Sequence, residues 1–505
     1  MDRRQFLRDA LLALPAARAA YGEPPPLEEI TLQDLQHGFH EGRFTARSVA
    51  ESYLRRIGSL DKRGPKVNSV IEINPDALSL AEALDRERRA GRVRGPLHGV
   101  PVLIKDNFDT ADRMSTTAGS LALLGRPASQ DALVIARLRA CGAVILGKTN
   151  LSEWAGFRST HSIAGWSGRG GLTHNPYALD RNASGSSSGS AVAVASNFCA
   201  AAVGTESDGS VTAPAAVNGI VGIKPTVGLL SPAGMIPIAR SQDTAGPMAR
   251  TVRDAALLLN ALAGKTGAGY TKYLDPRGLR GVRLGVERNY FGVNPAMDRI
   301  LENCLSEMKR HGATLVDPAN LPSYGEYDDD ELEVFLYEFK TGLNAYLARR
   351  SSLAVRSLAD IIEFNRQRAA QEMPYFRQEL LERAQLKGPL TDPAYLKARA
   401  RCIQLARTEG IDAVVRKHKL HAIVAPTARP AVRTGDPDSA GCAKPAAVAG
   451  YPHITVPAGF VRGLPVGISF FGPAWSEPVL LKLAHAFEQA TVARRPPAFA
   501  PSIGD

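Results

Sequence analysis

A chain of 505 residues, 44% hydrophobic and 22% charged, with Gly and Pro spread along its length, has the profile of a folded globular protein and excludes disordered and fibrous classes. The formal charge of +11 is scattered in ones and twos, as at Arg55-Arg56 and Arg349-Arg350, with no basic run interleaved with aromatics; it reads as a solvated surface, and no nucleic-acid partner is expected. No uninterrupted apolar stretch reaches the roughly 18 to 20 residues of a bilayer span, so no membrane span is expected.

The chain opens on Arg3-Arg4-Gln5-Phe6-Leu7-Arg8, a short apolar run from Ala10 to Ala17, and the small-x-small site Ala17-Arg18-Ala19. Residues 1–20 thereby resemble a twin-arginine export signal, which implies a periplasmic or secreted protein. An ordinary amphipathic helix, and with it a cytoplasmic protein, is the alternative. After the stiff Pro24-Pro25-Pro26 leader, a single domain is expected over 27–500.

Helical spacing comes first, with Leu32, Leu35, Val49, Tyr53, Leu54 and Ile57 on one face and Thr45 or Ser48 as caps. Alternation follows around Val67 to Ile73. The apolar run Leu97 to Ile104, bounded by Gly and Pro, predicts a buried strand that delivers Lys105-Asp106-Asn107 to its end. A helix over Asp131–Cys141 and a strand over Ala143–Leu146 continue the alternation of an α/β protein. Residues Ser162 to Gly189 are dominated by Gly, Ser and Asn and feed an apolar small-residue helix from Ala191 to Phe198. That composition suits close backbone approach.

Strands are predicted at Cys199–Val203 and Gly219–Ile223, on either side of Gly204-Thr205-Glu206-Ser207-Asp208-Gly209-Ser210. From about Tyr324 to Arg407 the chain turns helical and charged, which predicts a helical insertion over 324–407 with Phe335, Leu336, Phe339, Leu343 and Leu347 as its core stripe. Strands at Ala422–Ala425, Ile454–Pro457 and Val466–Phe471 and a helix over Pro478–Thr491 close the domain. Cys141, Cys199, Cys304, Cys402 and Cys442 are odd in number and far apart, which argues against a disulfide framework or a zinc site.

Two catalytic readings fail on context. His37 and His40 are three apart but belong to no H-E-x-x-H or Cys/His set, so no metal is expected. Gly185-Ser186-Ser187-Ser188-Gly189 matches a G-x-S-x-G nucleophile elbow, but an elbow needs an apolar strand before its serine, and Leu179 to Ser184 is polar and turn-like.

A third reading joins several segments. Gly185 to Val194, then Gly204 to Ser210, Asn218 to Thr226 and Ser241 to Pro247 together resemble the amidase signature family. Pro101-Val102-Leu103-Ile104-Lys105-Asp106-Asn107 is similar to that family's lysine segment, and Leu464 to Ser469 to its C-terminal strand, so the resemblance spans about Leu27 to Pro497. It implies a large mixed twisted sheet covered by helices on both faces. It also implies a Ser-cisSer-Lys triad in which Lys105 is the base, Ser186 the relay and Ser210 the acyl-ester nucleophile, with the backbone N–H groups of Ser207, Asp208, Gly209 and Ser210 as oxyanion hole. In that family the nucleophile follows the relay by 24 residues, the interval between Ser186 and Ser210, which selects Ser186 rather than Ser187.

Elementary chemistry says why these types are needed. A serine hydroxyl attacks only when a base takes its proton, and a lysine can be that base only when neutral. Burial at the end of an apolar strand lowers a lysine pKa, which the position of Lys105 permits; the competing role for Lys105 is an ion pair with Asp106 or another carboxylate. Asp208 stands where the family usually has glycine, and its side chain is expected to point away from a hole built of backbone.

The resemblance implies an amidohydrolase of linear carboxamides with no cofactor. Its substrate is a small-molecule or peptide amide, and the protein is a monomer or a homodimer. The details of Ser207 to Ser210 and Ser241 to Met248 look most like the bacterial peptide amidase branch, which deamidates C-terminally amidated peptides. The alternatives are a general small-amide or aryl-acylamide amidase, an aminoacyl-tRNA amidotransferase A subunit, and a catalytically silent binding protein. Substrate contacts are expected from Met114 to Thr117, from Ser162 to Gly171 and from the helical insertion.

Overall fold

A computed structural model describes residues 27–264, 269–438 and 441–504; the export-type signal falls outside the described residues. Among the described residues thirteen strands run in chain order as β1 (Val70–Ile73), β2 (Pro101–Lys105), β3 (Val144–Thr149), β4 (Trp166–Ser167), β5 (Gly171–Leu172), β6 (Ala201–Glu206), β7 (Val221–Lys224), β8 (Thr244–Ala249), β9 (Arg283–Val286), β10 (Thr314–Val316), β11 (Ala422–Pro426), β12 (His453–Val461) and β13 (Leu464–Phe471). Eleven of them form one mixed sheet in the order β1-β3-β2-β6-β8-β7-β12-β13-β11-β9-β10, while β4 and β5 make a separate ribbon. Every residue of β2, β3, β6, β7 and β8 is buried, as continuous apolar strands covered on both faces must be.

The predicted strands and helices are present, with bounds set by local chemistry. The strand expected from Leu97 starts at Pro101, because Gly99 takes a left-handed φ of +83° and turns the chain first. Thr45 caps the Ala46–Arg56 helix and exchanges hydrogen bonds with Ser48 in a capping box. Several elements were not read from the sequence: Thr244–Ala249 is a strand inside a segment treated as a motif, Thr212–Val217 is a helix directly after Ser210, and the helices Val252–Ala263 and Pro295–Arg310 and the strands β9 and β10 fall in stretches given no assignment.

Parallel pairing of β2 with β6, with Ile104 opposite Val203, brings the C-terminal ends of the two strands together. Lys105 therefore meets Thr205 across the sheet. Antiparallel pairing of β6 with β8 sets Glu206 opposite Thr244, which brings Asp243 beside Ser207. The Ser188–Ala195 helix is buried along its whole length, so its small side chains let it lie against the strands beneath.

The insertion holds helices Asp328–Arg349, Leu358–Gln367, Ala369–Glu372, Glu379–Gln385 and Pro393–Ile403. It packs through the predicted stripe. Phe339 lies 5.1 Å from Phe157 and 6.4 Å from Trp154, centroid to centroid, and Phe335 lies 5.7 Å from Phe157. Burial of each such side chain contributes about 1.5 to 3 kcal/mol. Buried Arg158 adds a polar tie, with Nη1 2.5 Å from Glu153 Oε1 and 3.8 Å from Glu372 Oε2 of the insertion. Its guanidinium also stacks over Phe376 at 4.1 Å. Four of the five cysteines are buried and all are free.

Candidate active site

Lys105, Ser186 and Ser210 come from three separate segments that the sheet brings together. The end of β2 supplies the lysine, the turn before the Ser188–Ala195 helix supplies Ser186, and the turn after β6 supplies Ser210. Lys105 is fully buried, Ser186 is 3% exposed and Ser210 8%, so the outermost of the three is the serine that would meet a ligand. The Gly185-Ser186 peptide bond is cis. Ser187 N–H donates to the Ser210 carbonyl at 3.1 Å, which locks the two serine segments side by side.

Lys105 Nζ lies 2.7 Å from Ser186 Oγ, 3.0 Å from Ser187 Oγ, 3.0 Å from Thr205 Oγ1 and 3.3 Å from the Thr205 carbonyl. No carboxylate is among these partners. Burial lowers the lysine to about 7, against the opposing pull of Asp243 and Glu206. A neutral amine has two N–H donors and one lone pair. Ser187 commits its own proton to the Thr205 carbonyl at 3.0 Å, so it faces the lysine as an acceptor. Ser187 Oγ and Thr205 Oγ1 thus take the two donors, and the lone pair is left for the hydroxyl of Ser186. Asn107 Nδ2 donates to Thr205 Oγ1 at 2.9 Å and holds that hydroxyl in place.

The ion pair weighed for Lys105 does not form. Asp106 turns the other way, accepting from Thr117 and, at 3.1 Å, from Arg169 Nη1. His37 makes a surface contact with Glu41 and takes no part in the site.

The turn after β6 is built around Glu206, whose Oε2 accepts from the N–H groups of Val211 at 2.7 Å and Thr212 at 2.9 Å. That carboxylate caps the Thr212–Val217 helix and closes the turn beneath Ser210. Gly209 adopts φ +73°, where a glycine incurs no Cβ strain. Among the described residues, the N–H groups of Ser207, Asp208, Gly209 and Ser210 donate to no protein acceptor. Four free donors on the turn that carries Ser210 can receive a developing oxyanion. Asp208 has one carboxyl oxygen, Oδ1, buried without a partner; burial and then Glu331 push its pKa well above the usual range, while Lys444 opposes.

The loops expected to touch substrate have mixed fates. Thr116 and Thr117 are structural, bonding the Phe108 carbonyl and Asp106. Gly165 N–H donates to Ser152 Oγ at 2.9 Å, and Ser152 N–H donates to the Ser186 carbonyl at 3.1 Å, so the Ser162–Gly171 loop abuts Ser186. Sequence reasoning did not single out Thr205, Ser187, Asn107 or Gln242 for roles, although all four lie inside quoted motifs. Glu331 carried no signal at all.

A buried lysine that reaches a serine hydroxyl and has no carboxylate partner, a second serine on a turn of free N–H groups, and a buried mixed sheet beneath them fit a serine hydrolase without a histidine. The amidase family model matches residues 48–481, and the chain belongs to the amidase signature family: it is an amidase. A probable amidase of Arabidopsis thaliana is 42% identical over 495 residues, 94% of this chain and 92% of the relative. The X-ray structure of native peptide amidase from Stenotrophomonas maltophilia is 50% identical with a TM-score of 0.89, covering 94% of this chain and 99% of that one. A structure of the peptide amidase PAM with the competitive inhibitor chymostatin is likewise 50% identical, with a TM-score of 0.90, covering 94% and 100%.

Proposed function

We propose that this amidase hydrolyses the C-terminal carboxamide of peptides, with Ser210 as nucleophile, Ser186 as relay and neutral Lys105 as base. The observation that carries the catalytic part is the 2.7 Å contact between Lys105 Nζ and Ser186 Oγ in a site where the lysine has no carboxylate partner. The peptide part is supported by 50% identity to the Stenotrophomonas maltophilia enzyme over nearly its whole length.

The protons balance in two half-reactions. Ser210 Oγ attacks the amide carbonyl carbon and passes its proton to Ser186, whose own proton moves to Lys105 Nζ. The carbonyl oxygen becomes an oxyanion held by the free N–H groups of Ser207 to Ser210. As the tetrahedral intermediate collapses, the proton returns from Lys105 through Ser186 to the departing nitrogen, and ammonia leaves an acyl-Ser210 ester. Water then attacks the ester along the same proton path and frees the peptide acid.

Ammonia or amine release from an amidated peptide, small free amides, aryl anilides and long-chain amides tests this reading. Wild type is expected to prefer the amidated peptide, and Ser210→Ala to release nothing. Strong turnover of small amides with none of the peptide amide would remove the peptide assignment and leave the amidase. On the twin-arginine pattern at Arg3-Arg4 we also propose export; cell fractionation that finds the full-length chain only in the cytoplasm would refute it.

A further inference from the structure

The oxyanion turn is gripped from outside the triad. Gln242, which is 1% exposed, donates through Nε2 to the Ser207 carbonyl at 3.1 Å and to Glu331 Oε1 at 2.8 Å. Glu331 sits in the first turn of the Asp328–Arg349 helix, so this second bond leads into the helical insertion. Its other oxygen, Oε2, lies 3.1 Å from Lys444 Nζ, which is also 3.1 Å from Asp328 Oδ1. Burial alone would lower the Lys444 pKa; Asp208, Glu331 and Asp328 outweigh it and raise it.

In a trans peptide the C=O of one residue and the N–H of the next point in opposite directions. A donor on the Ser207 carbonyl therefore sets the direction of the Asp208 N–H, one of the four free donors of the turn. Ser207 is held a second time, since its hydroxyl donates to Asp243 Oδ1, and Asp243 Oδ2 accepts from the Ile238 and Ala239 N–H groups. Asp243 alone fixes the side chain of Ser207; Gln242 fixes its peptide plane.

We propose that Gln242 is a positioning residue for the oxyanion turn, and that Glu331 and Lys444 hold Gln242 in its donating pose, so that docking of the helical insertion completes the hole. This rests on the reading of Ser210 as nucleophile with its turn as oxyanion hole. Both N–H bonds of the Gln242 amide are committed, one to the turn and one to Glu331. Loss of Glu331 or of its cation frees that amide to rotate, and the Ser207-Asp208 plane loses its outer constraint. Gln242 touches no reacting atom. Its effect belongs to the transition state, where the oxyanion carries full charge, and not to substrate binding.

The test compares Gln242→Met, Lys444→Met and Lys444→Arg in the full chain. The readouts are kcat and KM on an amidated peptide, inhibition by a peptide trifluoromethyl ketone that forms a tetrahedral adduct, and inhibition by the product peptide acid. Gln242→Met is expected to lower kcat by about tenfold or more with KM unchanged, and to weaken the ketone by a similar factor while the peptide acid binds as before. Lys444→Met, at a partly exposed position, moves both in the same direction by less, and Lys444→Arg restores them. Unchanged kcat in Lys444→Met overturns the role of Lys444, and loss of ketone and peptide-acid binding in equal measure in Gln242→Met overturns the positioning role. Should Gln242→Met fail to fold, Lys444→Met decides: unchanged kcat and ketone affinity there overturn the proposal. Turnover by Ser210→Ala would instead undo the underlying assignment of the nucleophile.

Discussion

Arg169 reaches past its own loop to Asp106, with Nη1 3.1 Å from Oδ2, and so occupies the carboxylate that stands next to Lys105 in the chain. The same guanidinium also contacts Glu72. Lys105 is left with hydroxyl and carbonyl partners only, the condition for a neutral base. Arg169→Met removes the cation from a fully buried carboxylate, and the protein is expected to lose ~3 kcal/mol of stability. Urea unfolding measures this. The double variant with Asp106→Asn should lose less than the sum of the two single losses, because the stranded charge is gone.

Activity should follow the protonation of Lys105. With its pKa lowered to about 7, the amine is charged and inert below that value and neutral above it, so kcat/KM is expected to rise through about pH 7 to a plateau. The stability sign is opposite to that of a stabilising ion pair. Between about 7 and the ordinary 10.5 the unfolded chain holds a proton on this lysine that the folded chain does not, so this group's contribution to stability rises with pH over that window. Thermal midpoints of wild type and Lys105→Met, taken across the window, should show the wild type gaining on the variant as pH increases. A parallel pair of curves would contradict it.

Gly189 lies in the first turn of the buried helix that follows Ser186, and a Cβ there would collide with the backbone of Ser69 and Asn150. Backbone atoms of β1's approach and β3's exit have nowhere to retreat. Gly189→Ala is expected to cost about 3 kcal/mol or more, seen as a lowered unfolding midpoint. Because the helix would be pushed outward, Ser186 would move from Lys105 and the fluorophosphonate labelling rate of Ser210 should fall as well. A variant as stable and as quickly labelled as wild type would show that the helix is not clamped.

His453 lies buried on β12, with Nε2 2.5 Å from Ser469 Oγ. Burial, helped by Lys224, lowers it to about 3. From the ordinary 6.5 down to about 3 the unfolded chain binds a proton that the folded chain refuses, so stability falls as pH drops through that window. His453→Gln should flatten this acid limb, checked by urea midpoints at pH 7 and about pH 4.5. An equally steep loss in the variant would place the acid sensitivity elsewhere.

Much of the fold was legible because buried strands declare themselves. The apolar runs ending in Lys105 and Glu206 and those at Val221, Ile454 and Val466 are all strands of the large sheet. Strand Thr244–Ala249 was not, since Thr-Ala-Gly-Pro-Met-Ala has neither alternation nor a β-branched run, and its burial on both faces comes only from the sheet around it. The stripe on Asp328–Arg349 was read correctly as core, but helical periodicity could not say that its first turn would bring Glu331 to Gln242.

The sequence by itself determined which residues are the candidates for the triad. The motifs that carry the amidase signature resemblance, their order and the 24-residue interval of that family point to Lys105, Ser186 and Ser210, because a turn that needs glycine, small side chains and a hydroxyl is written in neighbouring residues. Only the tertiary structure decided the state of the base and the shape of the hole. Whether Lys105 is charged depends on its burial, which the whole fold creates, and the neighbouring carboxylate of Asp106 is taken by Arg169, 63 residues further along the chain. Whether the Ser207 carbonyl is held depends on Glu331, 89 residues beyond Gln242. Those pairings follow from sheet register and burial, which arise from the whole fold and leave no mark on the residues alongside.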